Sequence, residues 1–344
     1  MNQKMMYDYF YHKAFIENKP VSVMIELLTN CNLNCEHCYL PSHTNKGLDY
    51  DTIKSLFKEL RDLGIVNVSL TGGEIFLRKD IFKIIELARN CHMRVFLLSN
   101  GTLLDERKVL KLIDLNIAEF STTIFSMNPE VHDSITGVKG SLSKLLENLE
   151  YFKGSNISIR IKTPLMKKNV SGYLDVYEYC KENGYDFLTS PLIFSKNDGD
   201  ESPKNLRVCD KTLKQILPQI DLINRNDHLH VDDVPCAALF YSFAIDSFGD
   251  VYPCNSFFCK IGNIFNEPIK DIWYESPVLK EIKGIKNKDL EKCMKCKYVS
   301  KCDRCPGMVY MEKKDFFSCD EYAKELARIR YNEVENGKKT SQYL

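Results

Sequence analysis

Three thiols stand close together in the run Cys31-Asn32-Leu33-Asn34-Cys35-Glu36-His37-Cys38, at the end of an apolar stretch. Thiolates are the preferred ligands of iron–sulfur clusters, and a cubane normally takes four of them. A C-x3-C-x2-C triplet therefore leaves one iron open to a small molecule, and chemistry can begin at that corner. The same spacing also serves a zinc ion with a distant fourth ligand, or three unrelated buried thiols. A second motif, Thr71-Gly72-Gly73-Glu74, joins two glycines that let a ligand approach the backbone to a carboxylate able to accept bonds from an amino group. Alone, it reads first as a tight turn with an acidic helix start.

Of the fourteen cysteines, eight (Cys236, Cys254, Cys259, Cys293, Cys296, Cys302, Cys305 and Cys319) crowd into the last third. The N-terminus, MNQKMMYDYFYHK, has no apolar core or small-residue cleavage site. The cysteines are accordingly read as metal ligands and thiols, and the expected location is the cytoplasm. Cys180 follows Tyr173, Val176 and Tyr177 on an apolar helical stripe and is read as core, as is Cys91 at another helix end. Cys293-x2-Cys296 with Cys302-x2-Cys305 suits four-thiolate zinc as well as iron.

The elements that must position these residues alternate in type. Candidate strands are 21–28, 67–71, 94–100, 118–125, 157–163 and 186–194. Between them run helical patterns such as Ile53, Leu56, Phe57, Leu60 and Leu63, or Leu142, Leu145, Leu146 and Leu149, each with one apolar face. Serial βα units imply a parallel sheet, because parallel neighbours need a crossover. The expected fold is α/β, a partial six-stranded (β/α) TIM barrel with a small C-terminal cysteine-rich module. Active-site loops of such barrels follow the strands, which is where Cys31 and Gly72 fall.

The expected division is an N-terminal extension (1–20), the barrel (21–194), a bridge (195–234) that turns helical around 213–223, the cysteine-rich module (235–320), and a C-terminal helix and tail (321–344). Lys plus Arg and Asp plus Glu are 47 each. With neither a long block of one charge nor a run of about 18 apolar residues, no nucleic-acid or membrane partner is expected.

CxxxCxxC after the first strand and GGE after the second resemble the radical S-adenosylmethionine (SAM) superfamily over residues 21 to about 192. The resemblance implies a four-iron four-sulfur cluster on Cys31, Cys35 and Cys38, its open iron chelated by SAM. It also implies reductive cleavage of SAM to a 5′-deoxyadenosyl radical, with the turn of Gly72, Gly73 and Glu74 holding the methionine amino group. Asn100 in Ser99-Asn100-Gly101-Thr102 resembles the family's TNG-like turn near the cofactor. The stretch 122–146 resembles the S-x-D-G, H-D, G-S-F run of peptide- and protein-modifying members, which puts Thr123 and Lys144 at the cofactor carboxylate.

The distal cysteines resemble the SPASM extension with its two auxiliary four-iron clusters. That likeness implies one cluster on Cys293, Cys296, Cys302 and Cys319 and another on Cys236, Cys254 and Cys305. For the second, Cys259, Cys209 or an open iron completes the set. Cys302 and Cys305 are two residues apart where three are commoner, and Pro306-Gly307 follows. Sulfatase-maturing members carry a basic aspartate directly after the second cysteine of the Gly-x4-Cys unit; here that residue is Asn255, which takes no proton at neutral pH. Sulfatase maturation by that route is therefore not expected unless another carboxylate, such as Asp246 or Asp250, stands in.

The implied activity is oxidative modification of a ribosomally made precursor peptide by thioether or carbon–carbon crosslinking. Biosynthesis of a small-molecule cofactor or tetrapyrrole is the alternative, and a non-catalytic zinc-binding interaction protein the distant one. The expected partners are the precursor peptide, a discrete leader-peptide-binding protein, since only about 20 residues precede the first strand, and a flavodoxin- or ferredoxin-type reductant.

Overall fold

The computed structural model describes residues 3–223 and 234–335. A helix, α1 (Gln3–Ile16), precedes six strands: β1 (Ser22–Glu26), β2 (Asn67–Thr71), β3 (Arg94–Leu98), β4 (Glu119–Thr123), β5 (Ser158–Pro164) and β6 (Asp186–Ser190). They pair in parallel and in chain order. The crossovers are α2 (Tyr50–Leu63), α3 (Ile81–Asn90), α4 (Glu106–Asp114), the tandem α5 (Pro129–Thr136) and α6 (Ser141–Glu150), and α7 (Tyr173–Asn183).

Local signals start these helices and the apolar face seats them. Asp49 caps α2 by accepting from the Thr52 N–H at 2.8 Å, and Ile53, Leu56, Phe57 and Leu60 are its buried face. Full burial of a side chain such as Phe57 contributes about 1.5–3 kcal/mol. The last strand ends at Ser190, short of the expected 194, because Pro191 offers no N–H to a ladder. The freed Leu192, Ile193 and Phe194 face a cavity instead.

The sheet is an open barrel, and it continues into the cysteine-rich part of the chain. β7 (Ser242–Ile245) pairs in parallel with β1 on its free side, then antiparallel with β8 (Asp250–Tyr252), which pairs with β9 (Gly262–Asn263). The full order is β6-β5-β4-β3-β2-β1-β7-β8-β9. This continuation is absent from the sequence-based expectation. Tyr11 and Phe15 of α1 pack edge-on against Tyr241 and Phe240 at 4.9 and 4.8 Å, sealing the joint.

Within the expected bridge, α8 (Asp210–Ile223) forms; residues 224–233 lie outside the described residues. The cysteine-rich part adds α9 (Ile269–Glu275), α10 (Pro277–Gly284), α11 (Glu291–Met294) and α12 (Pro306–Lys313), and the chain ends in α13 (Glu321–Glu335). α13 does more than cover the surface: Leu326 and Ile329 share a core with Leu213, Leu217 and Ile220 of α8. Arg330 clamps the pair, 2.7 Å from both Asp221 and Asp303. Residues 336–344 of the expected tail, and Met1 and Asn2, lie outside the described residues. No helix among the described residues is long and apolar enough to cross a membrane.

Candidate active site

The loops after β1, β2 and β3 meet over one cavity of about 460 Å³. Cys31, Cys35 and Cys38 line it together, with Gly72, Gly73, Asn100 and Thr123. The cysteine loop is held from outside: Asn34 and Glu36 donate their N–H groups to the carbonyls of Thr136 and Ile135 at the end of α5, at 2.8 and 3.0 Å. Burial pushes all three thiols up, and Cys38 and Cys31 add their repulsion at Cys35, which reaches about 12. Such a set becomes thiolate only with a cation at its centre, as iron provides. The donor set therefore fits an iron–sulfur cluster with a corner facing the cavity. Among the described residues no three His, Cys, Asp or Glu converge on a single metal ion.

Both glycines of the second motif answer to close packing. A Cβ on Gly72, at φ +152°, would meet the Leu28 carbonyl oxygen at 2.4 Å, and one on Gly73 would meet those of Thr29 and Asn30 at 2.3 Å. The turn can thereby lie against the segment that enters Cys31, with Gly73 N–H on Leu28 O at 2.9 Å and Glu74 N–H on Asn30 O at 2.8 Å. The carboxylate of Glu74 points the other way. It is fully buried, outside the cavity lining. Oε1 accepts from the Phe76 N–H and Oε2 from the Asn100 N–H, with the Ser99 hydroxyl 2.9 Å from both oxygens. What the motif presents to the cavity is backbone.

Asn100 extends this network to the cysteines. Its Nδ2 donates to Asn32 Oδ1 at 2.9 Å and stands 3.9 Å from Cys31 Sγ, while its Oδ1 accepts from the Thr102 N–H and hydroxyl. Asn32 in turn donates to Thr102 at 2.9 Å. Asn32 and Thr102 lie within the quoted motifs, but nothing local marks them as partners.

Lys144 stands apart. It lies on α6, exposed, with Nζ 3.0 Å from Glu147, and takes no part in the lining. The correction follows from helix geometry: α6 buries Leu142, Leu145 and Leu149, and this turns residue 144 outward. Asp133 of the neighbouring H-D pair caps that helix, accepting from the Gly140 and Leu142 N–H groups and the Ser141 hydroxyl. The basic side chain in the lining is Lys162 of β5, in register with Thr123. Nothing in the local sequence sets Lys162 apart from the other polar positions of β5.

Two histidines enter the wall. His37 packs on Phe125 at 5.0 Å and His132 accepts from the Phe125 N–H at 3.2 Å; burial lowers both to about 4, so each is neutral. Tyr39 donates to buried Glu26 at 2.8 Å, and Ser247 donates to the other oxygen at 2.9 Å, which ties the cysteine loop to the β7–β8 hairpin.

The cysteine-rich part closes the cavity with Asn255, Ser256, Phe258, Met308, Met311 and Glu312. Asn255 thus stands in the wall, whereas Asp246 and Asp250 do not. Asp246 Oδ1 accepts from the Phe248 and Asp250 N–H groups within the hairpin, and Asp250 pairs with Lys260 and Asn263.

Among the distal cysteines, two sets act on one another electrostatically. Burial raises Cys254 to about 12, with Cys305 and Cys236 adding to it. Cys302 also reaches about 12 through burial, Asp320, Cys293 and Cys319. Cys296 neighbours Lys324 alongside Cys319. The start of α12 lies on the Cys254 loop so closely that a Cβ on Gly307 would meet Ser256 O at 2.5 Å, so glycine at that position lets the two pack. Cys259 is buried in the same apolar cluster as Cys254, but its thiol pairs with the Tyr310 hydroxyl. Cys209 is exposed beside Thr212, and Cys180 lies in the core. None of the fourteen cysteines, all among the described residues, forms a disulfide.

Residues 25–179 match the radical SAM superfamily, and residues 236–306 match the SPASM iron-sulfur cluster-binding domain. The chain is a radical SAM enzyme, an oxidoreductase whose cofactors are SAM and four-iron clusters, with a C-terminal SPASM domain. It is 25% identical to the AdoMet-dependent heme synthase of Methanosarcina barkeri, over 89% of this chain and 96% of that protein. It is 26% identical to the subtilosin biosynthesis protein AlbA of Bacillus subtilis, over 85% of this chain and 66% of that one. Streptococcus suis SuiB bound to its precursor peptide SuiA has the same fold, with a TM-score of 0.70 at 18% identity over 90% of this chain and 78% of SuiB. These matches set aside the non-catalytic zinc module.

Proposed function

We propose that this enzyme oxidatively modifies a ribosomally made precursor peptide, forming a thioether or carbon–carbon crosslink. One observation carries the reading: the cavity runs from Cys31, Cys35 and Cys38 on one wall to Asn255 and Ser256, directly after Cys254, on the other. A substrate held there stands between a radical source and an electron acceptor, which a net oxidation needs. When bound, the groups supply a 5′-deoxyadenosyl radical to remove hydrogen and auxiliary clusters to take up an electron. Cys31, Cys35 and Cys38 hold the first cluster. Cys293, Cys296, Cys302 and Cys319 hold the second; Cys236, Cys254 and Cys305 hold the third.

The chain's other residues orient and shield. The backbone of Gly72 and Gly73 and the side chains of Asn100 and Thr123 serve the cofactor, with Glu74 fixing the Asn100 turn from below. Phe125, Ile193, Phe194 and Phe258 keep the space apolar, so a carbon radical meets few competing groups. His37 and His132, neutral at pH 7, add no charge. The peptide-bound SuiB fold and the likeness to AlbA favour a peptide. A leader-binding protein, a flavodoxin- or ferredoxin-type donor and a cytoplasmic location belong to the same proposal.

The near-complete overlap with the heme synthase favours a second reading, oxidation of a tetrapyrrole. Anaerobic reconstitution with a co-expressed candidate precursor and with an iron porphyrin separates the two. The expected result is 5′-deoxyadenosine together with a peptide that has lost hydrogens. An unchanged peptide beside a changed porphyrin refutes the first reading and supports the second.

A further inference from the structure

Two charged side chains occur among the described lining residues, Lys162 and Glu312. Glu312 is engaged, 3.1 Å from Arg207 and 3.3 Å from Lys204. The Lys162 ammonium is not: among the described residues it forms no ion pair and no side-chain hydrogen bond. The charges nearest to it in the sheet form a closed set. Glu119 Oε1 takes the Ser121 hydroxyl at 2.8 Å, Oε2 meets Arg160 at 3.1 Å, and Arg160 lies 3.5 Å from Asp186. Burial holds the Lys162 ammonium below its usual range, opposed by Glu119. A half-buried ammonium whose nearest carboxylate is already paired with another cation is poorly compensated, and an incoming carboxylate relieves that cost.

Its location favours substrate as the source of the carboxylate. The cysteines, Gly72, Gly73 and Asn100 follow β1, β2 and β3, whereas Lys162 lies on β5, beyond β4 in the sheet order. Its ladder partner is Thr123 on β4, and Lys162 stands on the far side of Thr123 from the turns after β1 to β3, beside Pro164 and the Leu192–Phe194 wall.

We propose that Lys162 is a substrate-specificity residue that binds the carboxylate of an acidic side chain near the hydrogen to be removed. The acidic peptide as carrier rests on the function proposed above.

The test uses the reconstituted full chain with SAM bound. The probes are the capped pentapeptide Gly-Gly-Glu-Gly-Gly and its glutamine twin, with binding followed by NMR. The glutamate probe should bind about ten-fold more tightly than the glutamine probe, as a charge-assisted bond in a dry site predicts. Lys162→Gln should erase that preference and leave SAM affinity unchanged, and Lys162→Arg should restore it, which also shows that the site still folds. Equal binding of the two probes by the unaltered enzyme overturns the proposal. So does a Lys162→Gln variant that loses affinity for SAM itself, since the ammonium then serves the cofactor's carboxylate. If neither peptide binds but a propionate-bearing iron porphyrin does, and Lys162→Gln weakens it, the acidic-peptide proposal and the peptide reading fall together. A retained glutamate preference without modification of any precursor leaves the subsite standing and counts only against the peptide function.

Discussion

The hydroxyl of Ser99 lies 2.9 Å from each carboxylate oxygen of Glu74 and donates to them in the interior. The acid of the GGE motif thereby acts on the turn after β3, and through Asn100 and Asn32 it reaches the loop of Cys31.

Breaking this link should loosen the cofactor site from behind. Ser99→Ala leaves a buried carboxylate short of a donor, a cost of about 1–3 kcal/mol. The melting temperature should fall, and KM for SAM should rise more than kcat changes. An unchanged melting temperature would remove Glu74 from this positioning role.

Cysteine replacements should separate radical formation from its use. The reconstituted enzyme should hold about 12 irons per chain and Cys35→Ala about 8, with 5′-deoxyadenosine abolished. Cys296→Ala should also lose iron yet retain some uncoupled SAM cleavage without product. Full turnover by either variant contradicts the roles assigned here; iron analysis and product quantification are the measurements.

Cys259 is buried among Leu239, Phe257 and Ile282, and the thiols that raise Cys254 are Cys305 and Cys236, not Cys259. Cys259→Ser should therefore leave the electron paramagnetic resonance of the auxiliary clusters unaltered, whereas Cys254→Ser should delete one signal. Loss of a signal in Cys259→Ser would instead make Cys259 the fourth ligand.

Acid should destabilise the fold through His132. Its folded value is about 4 against 6.5 when free, because burial disfavours the cation. The unfolded chain thus binds the proton first, and stability present above pH 6.5 is lost as pH falls towards 4. The contribution is on the order of 2–3 kcal/mol. Urea unfolding at pH 7 and pH 5 should show a smaller drop for His132→Gln than for the parent chain.

Much of this enzyme is legible along the chain because its signals are local. The three cysteines fall within one loop, and two glycines mark a turn that tolerates no Cβ. The helices α2 and α6 show their buried faces at a period of 3.6 residues. The two cysteine groups of the SPASM domain follow a recognisable spacing, although grouping them took a resemblance rather than geometry.

What required the tertiary structure is the direction in which side chains point and which distant strands meet. Glu74 follows the turn yet points into the core, because Ser99 and the Asn100 N–H of the adjacent turn capture it. Lys144 has a suitable charge and a suitable place in the motif, but the apolar face of α6 turns it to solvent. Lys162 looks like any polar residue of an alternating strand until the sheet curves and sets it inside. The pairing of Ser22 with Ser242, which lays the SPASM domain along the barrel's free edge, joins residues too far apart for any local pattern to reveal. Ligand spacing is a property of the chain, whereas the wall that faces those ligands exists only when β1 to β7 are side by side.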